Sequence, residues 1–195
     1  MSAVAKTFIT PEEYLERERA AEFKSEYLRG EMFAMAGATW EHCVITSNLI
    51  LMIAAGLRGR SCRVNGSDLR VAVSTTGLYT YPDVSIACGE PRFEDNRSDT
   101  LLNPIAIVEV LSASTEQYDR GQKFKHYQRI LSLREYILVS QEEMRIERFV
   151  RENDSRWSYA EFSDPAVLFE LVSVQLNIPM PEIYRDVTFP DAPLR

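Results

Sequence analysis

Apolar residues run almost unbroken through Ile105-Ala106-Ile107-Val108-Glu109-Val110-Leu111, between Asn103-Pro104 and Ser112. That pattern belongs to a strand covered on both faces. Strand alternation sets Glu109 on one side with Ile105, Ile107 and Leu111, and Ala106, Val108 and Val110 on the other. A carboxylate inside such a run must be paired, protonated or metal-bound, because an isolated buried charge costs several kcal/mol or more. An ion pair with a core arginine and a place in a metal site both satisfy that requirement. The strand predicted here is the centre of the fold.

The other elements follow from the same kind of reading. Thr10-Pro11-Glu12-Glu13 opens a helix, with threonine as N-cap, proline at the first helical position and glutamate closing a capping box. It should end near Ala21. Residues 23–36 read as a hairpin turning near Arg29-Gly30. Thr39 opens a longer helix to about Leu57, whose inner stripe is Ile45, Leu49, Met52 and Ile53. His42 falls on the same stripe, as a satisfied core residue or as a catalyst. Residues 62–74 give two strand pieces around Asn65-Gly66. Residues 81–88 give another that opens on Pro82-Asp83, where proline is tolerated and Asp83 could be a simple turn former. Residues 90–100 form a polar connection. After the central strand, Ser114 or Thr115 caps a helix to about Ile130, with Phe124, Tyr127 and Leu131 in its apolar sector and Ile130 at the rim. On that wheel Lys123 faces inward and Lys125 outward. Strands are expected at 135–139, 145–150, 157–162 and within 168–178, then a closing helical turn at 181–185. No repeat or linker interrupts the chain, so it reads as a single α/β (α+β) domain over residues 1–195.

Composition narrows the functional classes. With 45% apolar and 26% charged residues, the 195-residue chain is an ordinary globular one. Residues 1–10 show no apolar signal region, and the most apolar helix, 43–57, is too short to span a bilayer, so no membrane partner is expected. Three cysteines without a C-x-x-C pair favour a reducing cytoplasm and argue against structural zinc. A net charge of −7 excludes a broad nonspecific electrostatic grip on nucleic acid. Arginines do gather at Arg58, Arg60, Arg63 and Arg70. If the protein acts on DNA, that cluster is expected beside the functional carboxylates.

Asp83 and Glu109 come from two strands, and Lys123 from the helix after the second. Together they make a parts list for metal-assisted phosphodiester hydrolysis. Hard carboxylate oxygens suit Mg²⁺, which lowers the pKa of a bound water and neutralises phosphoryl oxygens. A nearby ammonium stabilises the developing charge.

At these residues the sequence also resembles a family. Pro82-Asp83 followed by Glu109 is similar to the PD-(D/E)xK signature of restriction-endonuclease-like nucleases. The string Glu109-Val110-Leu111-Ser112-Ala113-Ser114-Thr115, with Asp119 to Lys123, Tyr127 and Arg134-Glu135-Tyr136, resembles the Uma-two family of endonucleases. The likeness extends to Glu26-Tyr27-Leu28-Arg29-Gly30-Glu31, His42 and Ser67-Asp68-Leu69-Arg70-Val71. It implies a restriction-endonuclease-like core, a mixed central sheet flanked by helices, and a Mg²⁺-dependent DNA endonuclease in which Mn²⁺ can substitute. It also implies catalytic Asp83, Glu109 and Lys123, with Asp83, Glu109 and the Val110 carbonyl as metal ligands. Glu31, His42 and Asp68 would support the ligands or add one, and a homodimer is expected. Leu111 stands where the superfamily's lysine would be, with Lys123 in its stead, and Ala113 replaces a proline. The alternative is a nuclease-fold module that binds nucleic acid or protein without catalysis.

Overall fold

The computed structural model describes residues 8–190, so most of the 1–10 segment read above lies outside the described residues. Among the described residues, the fold contains five α-helices, a π turn and three sheets. Helix α1 (Pro11–Ala20) starts on the expected capping box: Glu13 N–H donates to Thr10 Oγ1, and Glu13 Oε2 accepts from Thr10 N–H. Strands β1 (Ser25–Leu28) and β2 (Glu31–Ala34) form the expected hairpin. Arg29 and Gly30 both have positive φ, the conformation that a two-residue turn between twisted strands demands. Helix α2 (Trp40–Gly56) is capped by Thr39 and buries Ile45, Leu49 and Ile53.

The chain continues through β3 (Cys62–Gly66), β4 (Arg70–Val73), β5 (Leu78–Thr80), β6 (Val84–Cys88), β7 (Thr100–Leu101) and β8 (Ala106–Leu111). After β8 come a short helix α3 (Glu116–Tyr118), a π turn (Asp119–Lys123) and α4 (Phe124–Tyr127). Strands β9 (Glu135–Ser140), β10 (Ile146–Arg151) and β11 (Trp157–Phe162) follow, then the hairpin β12 (Leu168–Leu171) and β13 (Leu176–Pro179), and α5 (Met180–Ile183). A six-stranded mixed sheet has the order β11-β10-β9-β8-β6-β3, with β8 and β9 parallel. A second mixed sheet has the order β2-β1-β5-β4-β7. This is an α+β architecture of mixed sheets flanked by helices, with β8 inside the larger sheet as the apolar run predicted.

The alternation of β8 divides two cores. Ala106, Val108 and Val110 pack with Ile45, Leu49 and Ile53 of α2. Ile107 and Leu111 pack with Val71, Val73 and Leu78 of the second sheet and with Tyr127. Glu109 shares that second face. Ile105, just before the strand begins, packs instead with the α2 side.

Three expectations need correction. The strand β5 went unread because three residues are too few to show a period. The helix after β8 ends at Tyr127 and contains a π turn, which carries one extra residue. Ile130 and Leu131 lie beyond the end of the helix, where its spacing no longer applies, and Ile130 is buried and Leu131 exposed, the reverse of the wheel. Cys62 and Cys88, 26 positions apart, face each other across β3 and β6 and are disulfide-bonded, while Cys43 is free and exposed. Sheet register makes that pair, and no local cysteine spacing announces it. Among the described residues no helix is long and apolar enough to cross a membrane.

The polar connection before β8 is tied to α1. Arg19 donates to Asp99 at 2.7 and 2.9 Å and to Asp95 at 2.8 Å. The Arg19 guanidinium holds the Asp99 carboxyl down at about 2, from an ordinary 3.8. A depressed carboxylate stabilises the fold above its ordinary pKa, and the effect fades as pH falls through the folded value. Asp99→Asn should cost roughly 1 kcal/mol at neutral pH after allowing for solvent screening. Its melting temperature should converge on wild type between pH 3.8 and about 2. A gap that stays constant over that range would show that the ion pair is not its origin.

Candidate active site

Pro82 has no amide hydrogen, so the β6 ladder begins just after it and Asp83 sits at the mouth of the strand. The last β6–β8 pair is Val84 with Val108, so the register brings Asp83 alongside Glu109. The Asp83 N–H lies 3.4 Å from Glu109 Oε2, and the Val110 N–H donates to Asp83 Oδ2 at 2.8 Å. His42, in the first turn of α2, places Nε2 2.9 Å from Asp83 Oδ1, the geometry of an Nε2–H donor to a carboxylate. Asp83 is thus held on both oxygens, one by helix and one by strand.

Lys123 closes the site from the other side. Its side chain is buried, and Nζ stands 2.9 Å from Glu109 Oε1, 3.3 Å from Asp119 Oδ1 and 3.4 Å from Glu26 Oε1. The Tyr127 hydroxyl donates to Glu109 Oε1 at 2.8 Å, and the Thr80 hydroxyl donates to Glu26. One ammonium therefore serves three carboxylates in a largely buried place.

Burial pushes the Glu109 carboxyl up, to about 8; Lys123 opposes the shift, and Asp119 and Asp83 add to it. Burial also raises Asp119, against the pull of Lys123. Desolvation alone would lower the Lys123 ammonium, but Glu109, Glu26 and Asp119 outweigh it and hold it well above the ordinary lysine value. Such opposed shifts in one cluster are characteristic of functional sites, although structural ion-pair networks also produce them.

The structure brings Asp83, Glu109, Val110, Lys123 and His42 together. The partner of Glu109 is this lysine and not a core arginine. Asp68 is exposed and bonded to Lys24 at 2.6 Å, on the loop that follows Gly66, the partner of Val84. Glu31 lies on β2, on the strand face it shares with Phe33. Glu26, Asp119 and Tyr127 were not singled out as site residues from the sequence. Two of them carried a signal, since Asp119 and Tyr127 lie four positions before and after Lys123, on one helical face. Glu26 reaches the site only through the packing of the two sheets.

The arginine cluster does not flank the carboxylates. Arg58 and Arg60 follow the far end of α2, and Arg63 lies beside Cys62 on β3. Because Gly66 pairs with Val84 and Cys62 with Cys88, Arg63 is at the opposite end of the β3–β6 ladder from Asp83, roughly 15 Å away along the strand. Arg70 is buried, bonding the Tyr81 hydroxyl at 2.6 Å and Thr100 at 3.0 Å. It braces α1 against the second sheet.

The larger mixed sheet thus carries Asp83 just before β6 and Glu109 within β8. In structure the chain is similar to "a putative nuclease belonging to DUF820" from Anabaena variabilis ATCC 29413, with a TM-score of 0.72 at 19% identity, covering 90% of this chain and 97% of that one. The sequence pattern of the Uma2 family, described as "Putative restriction endonuclease", matches residues 11–181, and the chain belongs to that family. Two uncharacterized Synechocystis proteins are similar along most of their length. One, slr1290, is 37% identical over 93% of this chain and 94% of its own. The other, sll1609, is 38% identical over 83% and 92%.

Proposed function

We propose that the protein is a Mg²⁺-dependent endonuclease acting on DNA phosphodiester bonds. The observation that carries this reading is the convergence of Asp83 and Glu109 at one point, with the Lys123 ammonium 2.9 Å from Glu109. The donor chemistry fits the ion. Among the described residues no three of His, Cys, Asp and Glu are arranged around a metal position. The protein would therefore offer two carboxylates and a backbone oxygen, a sparse hard-oxygen set that suits an ion retaining several waters. A strand residue directs its N–H and C=O to the same neighbour, so the Val110 carbonyl shares the side on which its N–H meets Asp83. When bound, Mg²⁺ (or Mn²⁺) would lower the pKa of a coordinated water and neutralise phosphoryl oxygens.

The chain's own groups have separable tasks. Asp83 is oriented by His42 and Val110, and Glu109 by Tyr127 and Lys123. Lys123 supplies positive charge at the scissile phosphate, while Glu26 and Asp119 keep its ammonium charged and fixed. Cutting both strands would take two copies with paired sites, and hence a homodimer.

Calorimetric titration tests the metal site independently of any substrate. Mn²⁺ should bind the wild type, and Asp83→Ala should lose at least about tenfold in affinity. A wild type that takes up no Mn²⁺ would replace this reading with that of a noncatalytic binding module. The distance of Arg58, Arg60 and Arg63 from the site favours that second reading.

A further inference from the structure

The segment joining β2 to α2 is Phe33-Ala34-Met35-Ala36-Gly37-Ala38-Thr39-Trp40, eight residues without a charge in an acidic protein. It is solvent-facing almost throughout, and it carries two large exposed rings: Phe33 at 49% and Trp40 at 75% exposure. Among the described residues neither ring stacks on another. An exposed tryptophan forgoes the burial that its large apolar area would otherwise gain, so its position calls for a partner.

Three tethers fix the segment around the candidate active site. Phe33 is the direct cross-strand partner of Glu26, so the two side chains leave the hairpin on one face, and Glu26 reaches Lys123 at 3.4 Å. The Thr39 hydroxyl donates to Gln141 at 2.8 Å. Gln141 directly follows Ser140, the residue paired with Leu111 two places beyond Glu109. Trp40 opens α2 two residues before His42, which holds Asp83, so the tryptophan stands at the site end of the helix though on the other side of it from His42. Side chains in a helix lean toward its N-terminus, so the Trp40 ring is thrown past the end of α2, over the loop.

The charge distribution indicates what these rings meet. The arginines that could grip phosphates lie at the far end of β3, and net charge is −7. A nucleic-acid substrate reaching Asp83 and Glu109 thus lies away from those arginines and meets two bare rings for its bases. Duplex DNA hides its base faces, whereas an unpaired strand presents them. We infer that Trp40, with Phe33, stacks an unpaired base beside the scissile phosphate, and that single-stranded or frayed nucleic acid is the substrate class. The inference rests on the nuclease reading for the meaning of "scissile" only; stacking itself is measurable without cleavage.

The chain has two tryptophans. In a Trp157→Phe background Trp40 is the sole emitter, and a short oligothymidylate added in Ca²⁺ should quench it saturably, more than a blunt duplex of the same length does. Anisotropy with the labelled oligomer should show Trp40→Ala binding about tenfold more weakly, with Trp40→Phe restoring most of the loss, because base–aromatic stacking is sequence-tolerant and ring-dependent. Few phosphate contacts predict a shallow salt dependence, a slope of roughly −1 to −2 that Trp40→Ala leaves unchanged. Mn²⁺ affinity should not move in Trp40→Ala. Equal affinity of wild type and Trp40→Ala for the oligomer, or the absence of binding and quenching, overturns the stacking inference and leaves the nuclease reading to its own metal titration. A Trp40→Ala protein that turns from dimer to monomer in sedimentation also overturns it, by showing that a second copy covers the rings. Quenching without cleavage of any substrate would sustain the stacking site and defeat the nuclease reading.

Discussion

On the proposed reading, Glu109→Gln and Asp83→Ala should each lower Mg²⁺-dependent cleavage of plasmid or single-stranded DNA by about a thousandfold or more, equivalent to roughly 4 kcal/mol of barrier. Both proteins remain folded. Glutamine at 109 keeps the shape of the side chain and an oxygen for the Tyr127 hydroxyl. What the amide cannot do is supply a full negative charge to a hard divalent ion. A matched control is Glu142→Gln, next to Gln141 but outside the carboxylate cluster. Cleavage within tenfold of wild type for both site variants would end the assignment of these two carboxylates.

Lys123→Met has the largest expected effect on stability. The methionine fills the volume of the stem but leaves Glu109, Asp119 and Glu26 facing one another without their shared cation. Breaking a buried ion pair from one side costs about 3–5 kcal/mol. For a chain of this size that corresponds to a fall in melting temperature of about 10 °C. Adding Glu26→Gln removes one of the stranded charges and should recover part of the loss, so the double variant melts above Lys123→Met alone. Additive effects would mean that the two side chains do not interact in solution, whatever their 3.4 Å separation.

The central strand and the three residues converging on it were legible because each rests on a short-range pattern. The run around Glu109 has no competing period, Pro82 marks where a ladder can begin, and the inward position of Lys123 comes from helical spacing. Three kinds of feature escaped for physical reasons. Glu26 approaches Lys123 from a different sheet, and no spacing in the chain encodes how two sheets pack. The disulfide of Cys62 and Cys88 is a product of strand register. The arginines of residues 58–70 look like one cluster in the sequence, yet helix α2 and strand β3 carry three of them away from Asp83, and burial sets Arg70 to bracing. Charge proximity along a chain says little about proximity in space when an extended strand runs through it, as β3 does here.

The π turn at Asp119–Lys123 has an evolutionary consequence. Its surplus residue sets how Asp119 and Lys123 lie relative to one another, so a one-residue deletion there would rotate the carboxylate and the amine out of register while leaving every motif letter intact. Length within this turn should be under tighter constraint than identity at its outward positions. Relatives that drop a residue between 119 and 123 should be found to have surrendered catalysis, or to have returned the amine to the strand position that Leu111 fills here.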